Sequence, residues 1–175
     1  PSNPWMSGMA NLYTREFFQT VESKLNPGGI FIQWVNTAKM DWNTMAMIGK
    51  TFGNVFAKNC LMVSPIGSSD YFFVGFKDGA EMSYENARAK TSLLRKSANM
   101  KLGDARLLYY LIMSEDVGRM FSYGQEHTDN WPRLEFLAPK NYMQNPAGFE
   151  ERIFKKRKVS AETKKILSTA KGMDI

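Results

Sequence analysis

The sequence predicts an α/β fold: the C-terminal part of a doubly wound sheet with a closing antiparallel hairpin, followed by a mainly helical C-terminal region. One observation is an amphipathic helix that is followed by a Pro-Gly-Gly turn and a near-continuous apolar run at 30–35. Helix, glycine turn and buried strand are the second half of a βαβ unit. The other observation is a pair of strand-length segments, 60–64 and 71–76, that lie close enough in sequence to pair as a hairpin.

The first predicted helix covers residues 12–25. Apolar residues fall on one broad stripe of it, whereas its charged residues face outward. Before it, two prolines within four residues exclude a regular element, and Ser2 or Asn3 is expected to cap the helix with Pro4 in its first turn. Because no strand precedes this turn, we expect the chain to begin in the middle of an α/β unit and to be a piece of a larger protein.

The apolar run at 30–35 is typical of a strand that is covered on both faces, as in a parallel sheet. Gln33 interrupts this run, and a buried amide must find hydrogen-bond partners. Gln33 is therefore interpreted either as a site residue or as a structural link. After the strand, Asp41 is predicted to cap a second helix at 42–56.

The rest of the chain is predicted to be mainly helical. A loop is expected at 128–132, and the alternation of Leu134, Phe136 and Ala138 predicts a short edge strand before Pro139. These patterns divide the chain into the C-terminal half of an α/β domain at 1–80, a helical extension at 81–142 and a basic tail at 143–175. The remaining predicted helices cover 84–100 and 105–113, with another beginning within 114–120.

Composition excludes several classes of site. The one cysteine, Cys60, excludes an internal disulfide, and its apolar surroundings predict a buried, inert thiol. A single histidine, His127, excludes a two-histidine zinc site and is interpreted as a loop residue. No apolar run approaches the roughly 18 residues that a membrane-spanning helix needs. We therefore expect no membrane insertion by this segment. The expected location is cytoplasmic, either as a cytoplasmic protein or as the cytoplasmic domain of a membrane protein with an upstream membrane domain.

The net charge of +6 is concentrated near the C-terminus. Residues 152–171 carry Arg152, Lys155, Lys156, Arg157 and Lys158 as their densest block. Such a patch can attract phosphate, nucleic acid or anionic lipid. Because the aromatic residues of a nucleic-acid platform are missing, we interpret it as a solvated tail and expect no nucleic-acid partner.

Several short motifs lie along the chain in a definite order: Ser2-Asn3-Pro4-Trp5, Pro27-Gly28-Gly29-Ile30, Gln33-Trp34, Phe72-Phe73-Val74-Gly75-Phe76 and Thr128 to Phe136. These motifs and their order resemble the polyamine (spermidine/spermine) synthase-like proteins, in particular a bacterial branch whose domain is often fused to membrane-spanning segments. The resemblance covers about residues 1–142. It implies a methyltransferase-like (Rossmann-type) fold and a transferase that uses S-adenosylmethionine or its decarboxylated form, with aminopropyl transfer to an amine.

The resemblance also implies where the site lies. The glycine-rich cofactor loop and the base carboxylate would precede Pro1, so we expect no bound cofactor and no activity in this segment. Asn3 stands where typical synthases carry an acidic residue, and Ile66 stands where they have a tyrosine. In doubly wound sheets, ligands bind beyond the carboxyl ends of the strands. The candidate substrate-binding residues are Asn3, Trp5, Gln33, Asp70, Asp129 and Glu135, and the candidate cofactor-binding residues are Ser2 and Pro4.

Structural roles remain open for these candidates, since Asn3 can cap a helix, Asp129 can hold a turn and Glu135 can face outward from a strand. Two further functions also remain open: a methyltransferase of the same fold, and a non-catalytic domain attached to a membrane protein. A truncated sheet exposes an unpaired strand edge. We therefore expect a homodimer formed through that edge.

Overall fold

The computed structural model describes residues 3–57, 60–65, 68–78, 82–97, 105–146, 152–153 and 155–169, with the backbone alone at 94–97. These residues form a mixed α/β fold. Within them, four strands make one sheet in the order β1–β3–β2–β4. The strands are β1 (Ile30–Asn36), β2 (Cys60–Val63), β3 (Asp70–Phe76) and β4 (Ile112–Ser114).

Each neighbouring pair of strands in this sheet is antiparallel. In the register of β1 with β3, Ile30 lies opposite Phe76 and Asn36 lies opposite Asp70. The hairpin of β2 and β3 confirms the predicted antiparallel pair, and β4 pairs with the outer side of β2. Because β1 and β2 both run opposite to β3, they are parallel to each other, and β3 lies between them.

A short 3₁₀ helix at Met9–Tyr13 precedes the first α-helix, which begins later than predicted. Thr14 is its N-cap, and the Thr14 hydroxyl accepts from the backbone N–H of Phe17 at 3.2 Å. The prediction that Ser2 or Asn3 caps this helix is therefore wrong, because Thr14 offers the cap at the true start. The α-helices in the described ranges are α1 (Arg15–Lys24), α2 (Trp42–Phe56), α3 (Tyr84–Ser97), α4 (Arg106–Tyr110), α5 (Val117–Met120), α6 (Arg133–Gln144) and α7 (Ala161–Ser168).

Helix α2 agrees with the prediction in its bounds and its cap. Asp41 Oδ1 accepts from the backbone N–H of Thr44 at 2.7 Å. The helix packs against α5 at glycine: a Cβ added to Gly53 would lie 2.3 Å from the Cα of Gly118. The two helix backbones therefore approach so closely that a side chain at Gly53 would collide with the backbone of α5, whereas a Cβ at Gly118 would lie 3.3 Å from the carbonyl oxygen of Gly53.

Strand β1 differs from the prediction of a strand covered on both faces. Phe31 and Val35 face the core together with α1 and α2, whereas Ile30 and Ile32 are 51% and 58% exposed. Successive side chains of a strand point to opposite faces. Helices cover one of these faces at β1, and its described neighbour, β3, is antiparallel rather than parallel.

Two predictions in the C-terminal half are also wrong. The segment predicted as an edge strand at 134–138 belongs to α6, with Pro139 inside the helix. Its buried residues, Leu134, Ala138 and Asn141, have the spacing of a helix face. The predicted helix at 105–113 ends at Tyr110 and gives way to β4, which completes the sheet beside β2.

The basic segment is packed on the fold in part. Ile153 is fully buried. The guanidinium of Arg157 donates to the carbonyls of Ile112 and Tyr110, both at 2.9 Å. The interpretation as a solvated tail therefore fails for these two residues. Within the described ranges, no helix is both long enough and apolar enough to cross a bilayer.

Candidate functional site

A carboxylate is held by three side chains where β1 ends and β3 begins. Asp70 Oδ1 accepts from Trp34 Nε1 and from Asn36 Nδ2, both at 2.9 Å. The hydroxyl of Ser68 donates to Asp70 Oδ2 at 3.0 Å. The hydrogen bond from Asn36 is the largest cause that lowers the pKa of Asp70, against the opposing effect of burial. Asp70 is therefore an ionised, fixed acceptor at neutral pH.

Gln33 joins the same group through the backbone. The carbonyl of Trp34 accepts from Gln33 Nε2 at 3.0 Å and from the Tyr13 hydroxyl at 3.3 Å. Burial raises the pKa of Tyr13, so this hydroxyl keeps its proton. Two of the predicted site residues thus contact different parts of Trp34, Gln33 its backbone carbonyl and Asp70 its indole N–H. We call this group the Trp34 network; its members are Tyr13, Gln33, Trp34, Asn36, Ser68 and Asp70.

The N-terminal turn holds three more of the candidates. Pro4 is buried. The Trp5 ring packs on that of Tyr142, with 5.3 Å between the centroids. Asn3 Oδ1 is buried and has no hydrogen-bond donor in the described part of the chain. Ser2 lies outside the described residues.

The two late carboxyl residues make separate contacts. Glu135 Oε1 accepts from the backbone N–H of Gly8 at 3.0 Å, which ties the N-terminal turn to α6. Asp129 is exposed, and its backbone N–H donates to Glu16 Oε2 at 3.0 Å. Of these two candidates, Glu135 thus lies beside the N-terminal turn and Asp129 lies beside α1.

His127 lies in a loop, as predicted, but its side chain is fully buried. Its Nε2 lies 3.0 Å from the carbonyl of Ala10, and its Nδ1 accepts from the backbone N–H of Leu134 at 3.5 Å. The backbone N–H of His127 donates to Thr51 Oγ1 at 2.8 Å. Burial lowers the pKa of the imidazole. A neutral ring with its proton on Nε2 therefore joins the 3₁₀ helix to α6.

The structure confirms the prediction that the thiol of Cys60 is buried. It is 2% exposed, and burial raises its pKa to about 11. At neutral pH it is protonated, and a thiol reacts as a nucleophile only in its thiolate form. Cys60 therefore contributes no nucleophile.

Sequence reasoning missed Tyr13, Asn36 and Ser68 as members of the Trp34 network. Asn36 offered a signal, because it is a polar residue at the carboxyl end of an apolar strand. Ser68 follows Pro65 in the turn before β3, and such turns are rich in serine whether or not they bind a ligand. Tyr13 has no sequence signal of this role, because its contact with Trp34 is a tertiary one.

The comparisons with known proteins identify no relative. No protein-family model matches this chain, and no curated protein or solved structure matches it either.

Proposed function

We propose that this chain is the C-terminal part of a spermidine synthase-like transferase domain of a bacterial type. In this proposal, the complete domain uses S-adenosylmethionine or its decarboxylated form, transfers an aminopropyl group to a small amine and lies in the cytoplasm. The order of elements supports it. Parallel strands β1 and β2, linked through α2 and closed by antiparallel β3, fit the crossover and closing hairpin that the sequence motifs imply.

The single observation that carries the proposal is the unpartnered Oδ1 of Asn3. Buried polar atoms in native proteins nearly always have a partner, and an exception requires an explanation. The N–H groups of an amine or ammonium are donors that would satisfy this oxygen. Asn3 also belongs to the Ser-Asn-Pro-Trp motif, at the position where the typical synthases carry an acidic residue.

Asp70 supports the same substrate class. Its carboxylate is the anion of the Trp34 network, and its donors keep it ionised. A fixed anion favours a cationic amine over a neutral ligand of the same size. In this proposal Asp70 attracts the amine and Asn3 orients it, while the base carboxylate is supplied by the cofactor-binding half.

The Asn3 part of the proposal is tested by titrating the chain with putrescine in a calorimeter. We expect saturable heat that Asn3→Ala abolishes and that Asn130→Ala leaves unchanged, because Asn130 carries its amide in an exposed turn. Equal titrations for the two variants would contradict a role of Asn3 in amine binding.

The sheet supports the idea that further structure packs on β1. The edge of β1 that faces away from β3 has no strand beside it within the described residues. Ile30 and Ile32 are exposed on the uncovered face of β1. We propose that the cofactor-binding half of the domain covers this edge. The chain alone would then bind neither form of the cofactor, and micromolar affinity for either in calorimetry would overturn this part of the proposal.

The chemistry itself is tested with a polypeptide that carries both halves. Such a protein is incubated with an amine and S-adenosylmethionine, or its decarboxylated form, labelled in the group to be transferred. We expect an aminopropylated amine. A methylated product would instead establish the alternative of a methyltransferase on the same fold.

A second candidate function is a non-catalytic domain that associates through β1. The observation that favours it is the chemistry of this edge strand, which contains no proline and no charged residue. Natural edge strands usually carry such residues to prevent edge pairing. Sedimentation at increasing concentration tests the homodimer, and a monomer throughout the range would exclude it.

A further inference from the structure

A cleft of about 460 Å³ lies between the end of β4, helix α5 and residues 156–160. It shares no lining residue with the Trp34 network. Three cationic side chains line it, those of Arg119, Lys156 and Lys158. None of the three forms an ion pair with a described carboxylate. We refer to this space as the β4–α5 cleft.

Two carboxylates also line the cleft, and both are engaged by donors of the chain itself. The Glu115 carboxylate accepts from the backbone N–H and hydroxyl of Ser160 and from the hydroxyl of Thr163. Asp116 caps α5, and its Oδ1 accepts from the backbone N–H of Arg119 at 2.8 Å. These carboxylates hold helix ends in place and offset the three cations in part.

The side chain of Lys156 contacts two aromatic rings. Its ammonium lies 5.2 Å from the centroid of the Trp42 ring and 4.8 Å from that of Tyr123. Those two rings are stacked, with 6.4 Å between centroids and 17° between planes. A cation over an aromatic face is attracted by the ring quadrupole. Arg157, bound to two backbone carbonyls, anchors the segment between the two lysines.

Three cationic side chains that line one open space repel one another, and an anion between them would relieve that repulsion. We propose that the β4–α5 cleft binds a small phosphate-bearing anion through Arg119, Lys156 and Lys158. Ser122 and Tyr123 line the same cleft, and a hydroxyl group can donate to phosphate oxygens. The cleft also has room for an organic group beside the phosphate.

Calorimetric titration of the whole chain with inorganic pyrophosphate and with AMP, at constant ionic strength, tests the proposal. We expect saturable one-to-one binding of at least one of the two. Lys156→Gln and Lys158→Gln are each expected to weaken it about tenfold or more, the usual effect of losing a charge-assisted contact. Lys140→Gln is the matched control, since Lys140 is an exposed lysine on α6 outside the cleft.

The absence of saturable binding by both probes would overturn the proposal. An equal loss of affinity in the Lys140→Gln control would also overturn it, because general charge attraction would then explain the binding. Thermal melting followed by circular dichroism identifies a variant that does not fold. If the Lys156→Gln variant does not fold, the affinity of the Lys158→Gln variant tests the proposal. Lys158 makes no cation–π contact in the described structure, so its substitution removes no contact of that kind.

Discussion

The two faces of the sheet are built from alternate residues of the same strands, yet their surroundings differ. On one face, Phe31, Val35 and Phe73 pack against helices and rings. On the other, Ile30 and Ile32 are more than half exposed. A single layer of helices therefore holds this part of the sheet. The covered face therefore supplies the stability, and the open face is available for association.

The centre of the covered face is Phe52 on α2. Its ring lies 4.6 to 6.2 Å, centroid to centroid, from four other aromatic rings. These neighbours come from α1, α2, β1 and β3, so a single side chain joins helices to strands. The four are Phe18, Phe31, Phe56 and Phe73.

The largest effect is therefore expected from Phe52→Ala. Truncation leaves a cavity among those rings, and the usual loss for a buried phenylalanine is about 3–5 kcal/mol of unfolding free energy. Urea denaturation followed by circular dichroism measures it. A loss below about 1 kcal/mol would mean that the covered face is not the main source of stability.

A smaller loss is expected from Gly53→Ala. The new methyl would meet the backbone of Gly118, so α2 and α5 must separate. Overpacking of this kind typically costs about 1–3 kcal/mol. The same denaturation assay measures the change, with Lys50→Ala as the control on α2. Equal stabilities of the two variants would contradict the close approach of the helices.

The pH dependence of stability tests the buried His127. Burial lowers the pKa of His127 in the folded state. As the pH falls below the usual histidine pKa of about 6.5, the unfolded chain therefore binds a proton that the folded chain does not bind. The unfolding free energy is therefore expected to fall as the pH decreases below about 6.5. Urea titrations between pH 8 and 5 measure this slope. A His127→Gln variant is expected to lose it, and an unchanged slope would contradict the assignment to His127.

The smallest effect on stability is expected on the open face, from Ile32→Ser. Substitutions at exposed positions usually change the unfolding free energy by about 0.5 kcal/mol or less. The same variant is expected to weaken any association through β1, because it removes an exposed apolar side chain from the edge strand. Sedimentation measures the association, and a loss of several kcal/mol in denaturation would show instead that this face is covered.

Sequence patterns predicted α2 and the β2–β3 hairpin well, for a physical reason. Fifteen residues of helical periodicity after Asp41 leave little choice of element or start. At β1, the sequence pattern predicted the strand but not how many of its faces are covered. An apolar run predicts a strand, but the number of covered faces depends on which elements pack against it. The prediction of a strand at 134–138 was wrong, because five alternating residues also fit a helix whose buried residues include Leu134 and Ala138.

The site was predictable in part. Gln33 and Asp70 were named as candidates, but the contacts of Asp70 with Trp34 and Asn36 depend on the register of β1 with β3, which sequence spacing does not give. The burial of His127 was missed because its partners, Ala10 and Thr51, come from distant parts of the chain. Local patterns identify elements, whereas these contacts arise only when the elements pack.

The place of β3 in the sheet has a consequence for how the chain acquires its structure during synthesis. Of the three strands β1, β2 and β3, the central one leaves the ribosome last. Until it arrives, β1 and β2 have no common neighbour, and pairing of segments so far apart in sequence is slow. A nascent chain that ends at Val63 would carry two apolar strands with no ladder between them, exposed to premature association.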